Sequence, residues 1–115
     1  MKRKIIQLTQ FSKTVDSLLK KRQLLSEDFN VFQKELAEHP EMGDVVPGTS
    51  GVRKVRLKSS GRGKSGGFRV CYYDIVNDNE IFLILIYAKN KQEDLTAEQK
   101  KSLKESVTIL RRKFR

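Results

Sequence analysis

One apolar run constrains this chain more than any other feature. Ile81-Phe82-Leu83-Ile84-Leu85-Ile86 contains no polar side chain. A membrane span needs about 20 such residues, so the run predicts a core strand, extending over Glu80 to Lys89 at the centre of a sheet. The Met1-Lys2-Arg3-Lys4 start is positive, but only Ile5-Ile6 follows before Gln7, too short for the apolar core of a signal peptide. Cys71 is the single cysteine, so no internal disulfide can form, and the expected compartment is the cytoplasm.

The remaining elements follow from periodicity. Ile5, Ile6 and Leu8 predict a short strand over residues 4–8. Phe11, Val15, Leu18 and Leu19 recur at helical spacing, with Thr9 or Ser12 as the cap. A second helix is expected after Ser26, with Glu27 and Asp28 at its positive end and Phe29, Phe32 and Leu36 as its stripe. It stops near His39, ahead of Pro40. Residues 40–51 hold both prolines and three of the seven glycines and read as a loop. Residues 52–58 alternate, with Arg53, Val55 and Leu57 on one face and Val52, Lys54, Arg56 and Lys58 on the other. After the Gly/Ser/Lys/Arg loop 59–67, Phe68, Val70 and Tyr72 alternate with Arg69, Cys71 and Tyr73. Asn77-Asp78-Asn79 signals a turn. Thr96 and Gln99 form a capping box for a last helix with Leu103, Val107, Leu110 and Phe114 inward. The expectation is one α+β domain spanning 1–115: a curved antiparallel sheet with two N-terminal helices and a C-terminal helix packed on one side of it.

Charge narrows the function. Lys and Arg number 24 against 14 Asp and Glu, a formal net charge of +10. Such a domain attracts polyanions before any specific contact forms. Residues 45–73 concentrate this charge, carrying Arg53, Lys54, Arg56, Lys58, Arg62, Lys64 and Arg69 and no acid. Alternation places Lys54, Arg56 and Lys58 about 6–7 Å apart in a row, close to the phosphate spacing of a single strand. The competing reading, an edge strand protected by charge, needs one or two cations rather than seven. Tyr72, Tyr73 and Tyr87 are candidates for stacking on bases. Tyr87 is favoured because Lys89 and Lys91 share its parity at the strand exit.

Several chemistries are excluded by residue type. Gly61-Arg62-Gly63-Lys64-Ser65-Gly66-Gly67 lacks the Walker spacing. One histidine, His39, and one cysteine cannot build the usual zinc site or a two-histidine ribonuclease. The acids lie mainly in the helices, the 77–80 turn and the Glu93-Asp94 pair, with Asp74 inside a predicted strand, against the carboxylate cluster of a two-metal nuclease. Cleavage of RNA by cations remains. The ribose 2′-OH is a nucleophile beside its own phosphate, and crowded Lys and Arg stabilise the charge that develops. Crowding also makes a lysine, ordinarily near ~10.4, easier to deprotonate. No cofactor is expected.

Four separated stretches resemble the RelE/HigB toxins of type II toxin–antitoxin modules: Gly51-Val52-Arg53-Lys54-Val55-Arg56; Gly61-Arg62-Gly63-Lys64-Ser65-Gly66-Gly67-Phe68-Arg69-Val70; Ile86-Tyr87-Ala88-Lys89-Asn90-Lys91; and Asp94-Leu95-Thr96. The likeness is closest to the HigB-like branch with the Arg-Gly-Lys-x-Gly-Gly-x-Arg signature. It implies a RelE-like fold and a metal-independent endoribonuclease that cuts messenger RNA on the ribosome. It also implies a cognate antitoxin, commonly a helix-turn-helix protein through which alone operator DNA is met, and no membrane partner. By motif position the catalytic set falls on Lys54, Arg56, Arg69, Lys89 and Lys91, with Tyr87 standing in for a tyrosine that RelE carries near its last helix. Arg53, Lys58, Arg62 and Lys64 are expected to hold RNA and ribosome. Asn90 or Lys91 replaces a RelE arginine, and loop 59–67 is longer than in RelE. Relatives that poison DNA gyrase, and a non-catalytic RNA-binding module, are the alternatives.

Overall fold

A computed structural model describes residues 2–60 and 67–113. In chain order the elements are β1 (Lys4–Gln7), α1 (Thr9–Lys20), α2 (Ser26–Glu38), β2 (Asp44–Val45), β3 (Arg53–Leu57), β4 (Phe68–Ile75), β5 (Glu80–Ala88) and α3 (Ala97–Lys113). The sheet runs β1-β5-β4-β3-β2. The apolar run thus lies inside the sheet as β5, flanked by β1 and β4.

Two parts of the expected architecture are corrected. The sheet is mixed rather than antiparallel, because β1 pairs parallel with β5, Lys4 opposite Glu80 and Gln7 opposite Leu83. The two helices between them supply the long crossover that parallel strands require. The helices also do not share one side. Phe11, Val15, Phe29, Phe32 and Leu36 of α1 and α2 pack on Val55, Leu57, Phe68, Val70 and Tyr72. Leu103 and Val107 of α3 pack on Val52, Cys71 and Tyr87, residues of opposite parity. The sheet is therefore sandwiched, which an apolar run with both faces buried demands. Between Cys71 and Tyr72 the β4–β5 register shifts, so Cys71 opposes Leu85 while Tyr72 opposes Leu83. The bulge leaves Ile84 without an opposite residue, and Ile84 and Leu85 both turn toward the α3 side.

Local chemistry sets the element ends. Neither Thr9 nor Ser12 caps α1. Leu8 holds the N-cap position with its N–H on the carbonyl of Leu83 at 3.0 Å, and Ser12 Oγ donates to Gln7 Oε1. The capping box of α3 forms as expected, with Gln99 N–H on Thr96 Oγ1 at 3.1 Å and Thr96 N–H on Gln99 Oε1 at 3.0 Å. His39 is the exposed C-cap of α2. Within the segment read as a loop, Asp44–Val45 adds a two-residue edge strand against Lys54 and Arg53. It begins after Gly43, whose N–H donates to Tyr72 Oη at 3.0 Å, while that hydroxyl donates to the carbonyl of Pro40 at 2.7 Å. A Cβ at Gly43 would lie 2.9 Å from both the Lys54 carbonyl and the Tyr72 ring, so only glycine fits. Phe114, expected in the α3 stripe, lies outside the described residues.

Candidate active site

The β-ladder brings the sequence-expected cations together. Arg56 on β3 stands directly opposite Arg69 on β4, and Arg69 directly opposite Tyr87 on β5. One pair further along the same face, Lys54 opposes Cys71. Directly opposed like charges weaken a sheet. Arg56 and Arg69 thus sit side by side on one face of the sheet, in a stretch of sequence with no carboxylate. Arg56 is exposed; Arg69 is half-buried, with one guanidinium N–H on the carbonyl of Phe68 at 3.2 Å. This face carries α3, so it is not the open face that the expected one-sided packing of helices implies. Leu103, Val107 and Leu95 cover its Val52–Cys71 end, and Arg56 stays outside that cover.

Lys54 has a partner that the sequence did not reveal. Its Nζ lies 3.3 Å from Oδ1 of Asp94, in the turn before α3. The same oxygen accepts the N–H of Leu95 at 2.8 Å, and Gln92 Nε2 donates to both the Asp94 carbonyl and Gln99 Oε1. The Leu95 N–H, then Lys54, hold the Asp94 carboxyl below its ordinary range. Asp94 is thus fixed to the α3 capping box and in turn orients Lys54. The signal that could have found it is an Asp two positions before the capping-box threonine, Asp94 before Thr96.

The other site residues divide. Lys89 turns back, its ammonium on the carbonyl of Glu93 and its N–H on the carbonyl of Gly67. Lys91 is exposed in the following turn. Tyr87 is only 8% exposed and its hydroxyl has no hydrogen-bond partner among the described residues. Burial pushes that hydroxyl up to about 12, so it stays protonated and can donate. The buried Cys71 thiol, also pushed up to about 12 by burial, is not a nucleophile. Arg53 lies on the opposite face, its guanidinium on the carbonyl of Gly43 at 2.7 Å, where it braces the entry to β2. Lys58 is exposed just past the end of β3, and Arg62 and Lys64 lie outside the described residues. The rings of Tyr72 and Tyr87 are buried, and Tyr73 sits under Arg111 at 6.0 Å, so the tyrosines are engaged within the fold rather than laid out for bases. Among the described residues no three His, Cys, Asp or Glu side chains converge as metal ligands, and no helix is long and apolar enough to cross a membrane.

Fold and site together define a small basic α+β protein with a cationic row on its sheet. The chain belongs to the RelE toxin family: the family described as "RelE toxin of RelE / RelB toxin-antitoxin system" matches residues 20–113. A solved structure of the E. coli toxin RelE, a double arginine-to-alanine mutant in the free state, is similar with a TM-score of 0.52 and 22% identity. The match covers 81% of this chain and 90% of that one. At this identity the structural likeness speaks for the fold.

Proposed function

We propose that this toxin is a metal-independent endoribonuclease that cuts messenger RNA on translating ribosomes in the cytoplasm and is neutralised by a cognate antitoxin, commonly of the helix-turn-helix kind. The observation that carries this reading is the in-register row Arg56–Arg69–Tyr87 with Lys54 on the same face. In such a reaction the ribose 2′-oxygen attacks the adjacent phosphorus and the bond to the 5′-oxygen breaks. The products are a 2′,3′-cyclic phosphate and a 5′-hydroxyl. One proton must leave the 2′-OH and one must reach the departing oxygen. Arg69, backed by Arg56, forks the phosphoryl oxygens as negative charge builds. Lys54, held by Asp94, adds a point charge at the same phosphate. Tyr87, buried and protonated well above neutral pH, backs Arg69 from the neighbouring strand rather than touching RNA. Exposed Lys91 and Lys58 hold the flanking strand.

A sheet this small aligns the reacting atoms poorly by itself, and alignment is worth several powers of ten in rate. The ribosomal A site supplies it. Single-turnover cleavage of a messenger in the A site and of the same messenger free in solution tests the proposal. Rapid cutting of the first and slow cutting of the second is expected; equal rates overturn ribosome dependence. Expression that stops replication and leaves translation running would identify a gyrase poison instead. RNA binding with neither cleavage nor toxicity would identify a passive binding module.

A further inference from the structure

The turn from β5 to α3 holds two lysines of the site, yet it has little of its own to keep its shape. From Lys89 to Asp94 no side chain is buried; Leu95 is the first. At the start of the turn the carbonyl of Ala88 accepts the N–H of Lys91 at 3.1 Å and that of Gln92 at 3.3 Å. Its end is fastened by one side chain. Gln92, half-buried between exposed neighbours, donates from Nε2 to the carbonyl of Asp94 at 2.9 Å and to Gln99 Oε1 at 2.8 Å. Its own Oε1 accepts Gln99 Nε2 at 3.3 Å. Backbone partners fix which way both amides point, because the Asp94 carbonyl only accepts and the Thr96 N–H on Gln99 Oε1 only donates. The capping box of α3 closes between Thr96 and Gln99 and does not need Gln92. Both Nε2 hydrogens of Gln92 are spent inside the fold, so none is left for a base or a phosphate. What Gln92 adds is a tie between the turn and the helix.

We propose that Gln92 is a positioning residue: by fixing the turn 92–94 to α3 it aims Lys89, held on the Glu93 carbonyl, and Lys54, held on the Asp94 carboxylate. This rests on the toxin reading above. A lysine is a point charge on a long flexible stem, so its effect on a phosphate depends on where the ammonium is when charge develops. Glu93 and Asp94 are successive residues, and each offers an acceptor to one lysine. The Leu95 N–H fixes the Asp94 carboxylate to its own backbone at 2.8 Å, and Gln92 fixes that backbone to the helix. One shift of the turn therefore misplaces both ammonium groups.

Single-turnover cleavage of a ribosome-bound messenger by the wild type, Gln92→Met, Lys54→Ala/Lys89→Ala and the triple variant tests this. Methionine keeps the length of the side chain without its hydrogen bonds. Gln92→Met is expected to lower the maximal rate about tenfold with the half-saturating toxin concentration unchanged. In the Lys54→Ala/Lys89→Ala background it should cost less than about twofold, because the groups it aims are gone. A loosened fold would slow both backgrounds by the same factor, so equal factors overturn the proposal whether or not the variant melts earlier. A higher half-saturating concentration at an unchanged maximal rate also overturns it and makes Gln92 a contact to ribosome or messenger. The Asp94 carboxyl, followed by carbon-13 NMR on the toxin alone, is expected to titrate closer to the ordinary carboxylate range in Gln92→Met than in the wild type. An unmoved titration overturns the proposal. Failure of the toxin reading shows separately, as a wild type that cuts neither ribosome-bound nor free messenger, while the Asp94 titration still reports the tie made by Gln92.

Discussion

Nζ of Lys54 and Oδ1 of Asp94 stand 3.3 Å apart, joining β3 to the turn that opens α3. Asp94→Asn is expected to slow single-turnover cleavage about tenfold through loss of Lys54 alignment, with Asp94→Glu recovering part of the rate. The pair also has a pH signature. The folded state lowers the Asp94 carboxyl, so its stabilisation is present above the unfolded value of about 3.9 and is lost as pH falls through the folded one. Wild type and Asp94→Asn should therefore differ in melting midpoint at neutral pH and converge in acid. Thermal melts across that range check this.

Arg69→Ala is expected to cut the cleavage rate by about 10²–10³ and to leave the melting midpoint and ribosome binding in place. Arg69→Lys should recover only a fraction, since a point charge lacks the fork. A structural pair of Arg69 with Asp74 would meet a competitor, because Arg3 Nε already holds the Asp74 carboxylate at 2.8 Å. A parallel fall of melting midpoint and activity would nevertheless show that Arg69 serves the fold.

Tyr87→Phe should move stability and activity in opposite directions. Its buried hydroxyl has no partner among the described residues, so removing it is expected to raise stability by up to about 1 kcal/mol while cleavage slows. Because folding raises the hydroxyl from about 10 to about 12, its ionisation leaves stability unchanged below about pH 10 and lowers it as pH rises toward 12. The phenylalanine variant should lose that contribution to alkaline destabilisation. Denaturant titrations at neutral and alkaline pH, paired with single-turnover rates, measure both effects.

Tyr72→Phe removes the hydroxyl that takes the Gly43 N–H and donates to Pro40. Leaving those buried backbone groups unsatisfied is expected to cost about 1–3 kcal/mol, read as a shift of the urea midpoint.

Much of the fold was legible because it rests on short-range patterns. The alternation of 52–58, the Phe29/Phe32/Leu36 stripe and the Thr96–Gln99 box each declare themselves within one element. What was misread is set between distant elements. Nothing local says that β1 pairs parallel with β5. The six-residue apolar run fits two buried sheet faces, yet the reading packed the helices on one side, because nothing local says which side each helix takes. In the site, the face shared by Lys54, Arg56 and Arg69 follows from parity alone. The Lys54–Asp94 pair joins residues far apart in sequence and needed coordinates. The tyrosines misled because an aromatic on a strand reads the same whether it meets a base or a core.

The pairing of Lys4 with Glu80 sets a timetable for synthesis. The first strand of the chain must wait, unpaired, until the fifth has been made, and contacts this distant form late and slowly. A growing chain therefore has no completed sheet until β5 has been made, although the cations of β3 and β4 already lie along it.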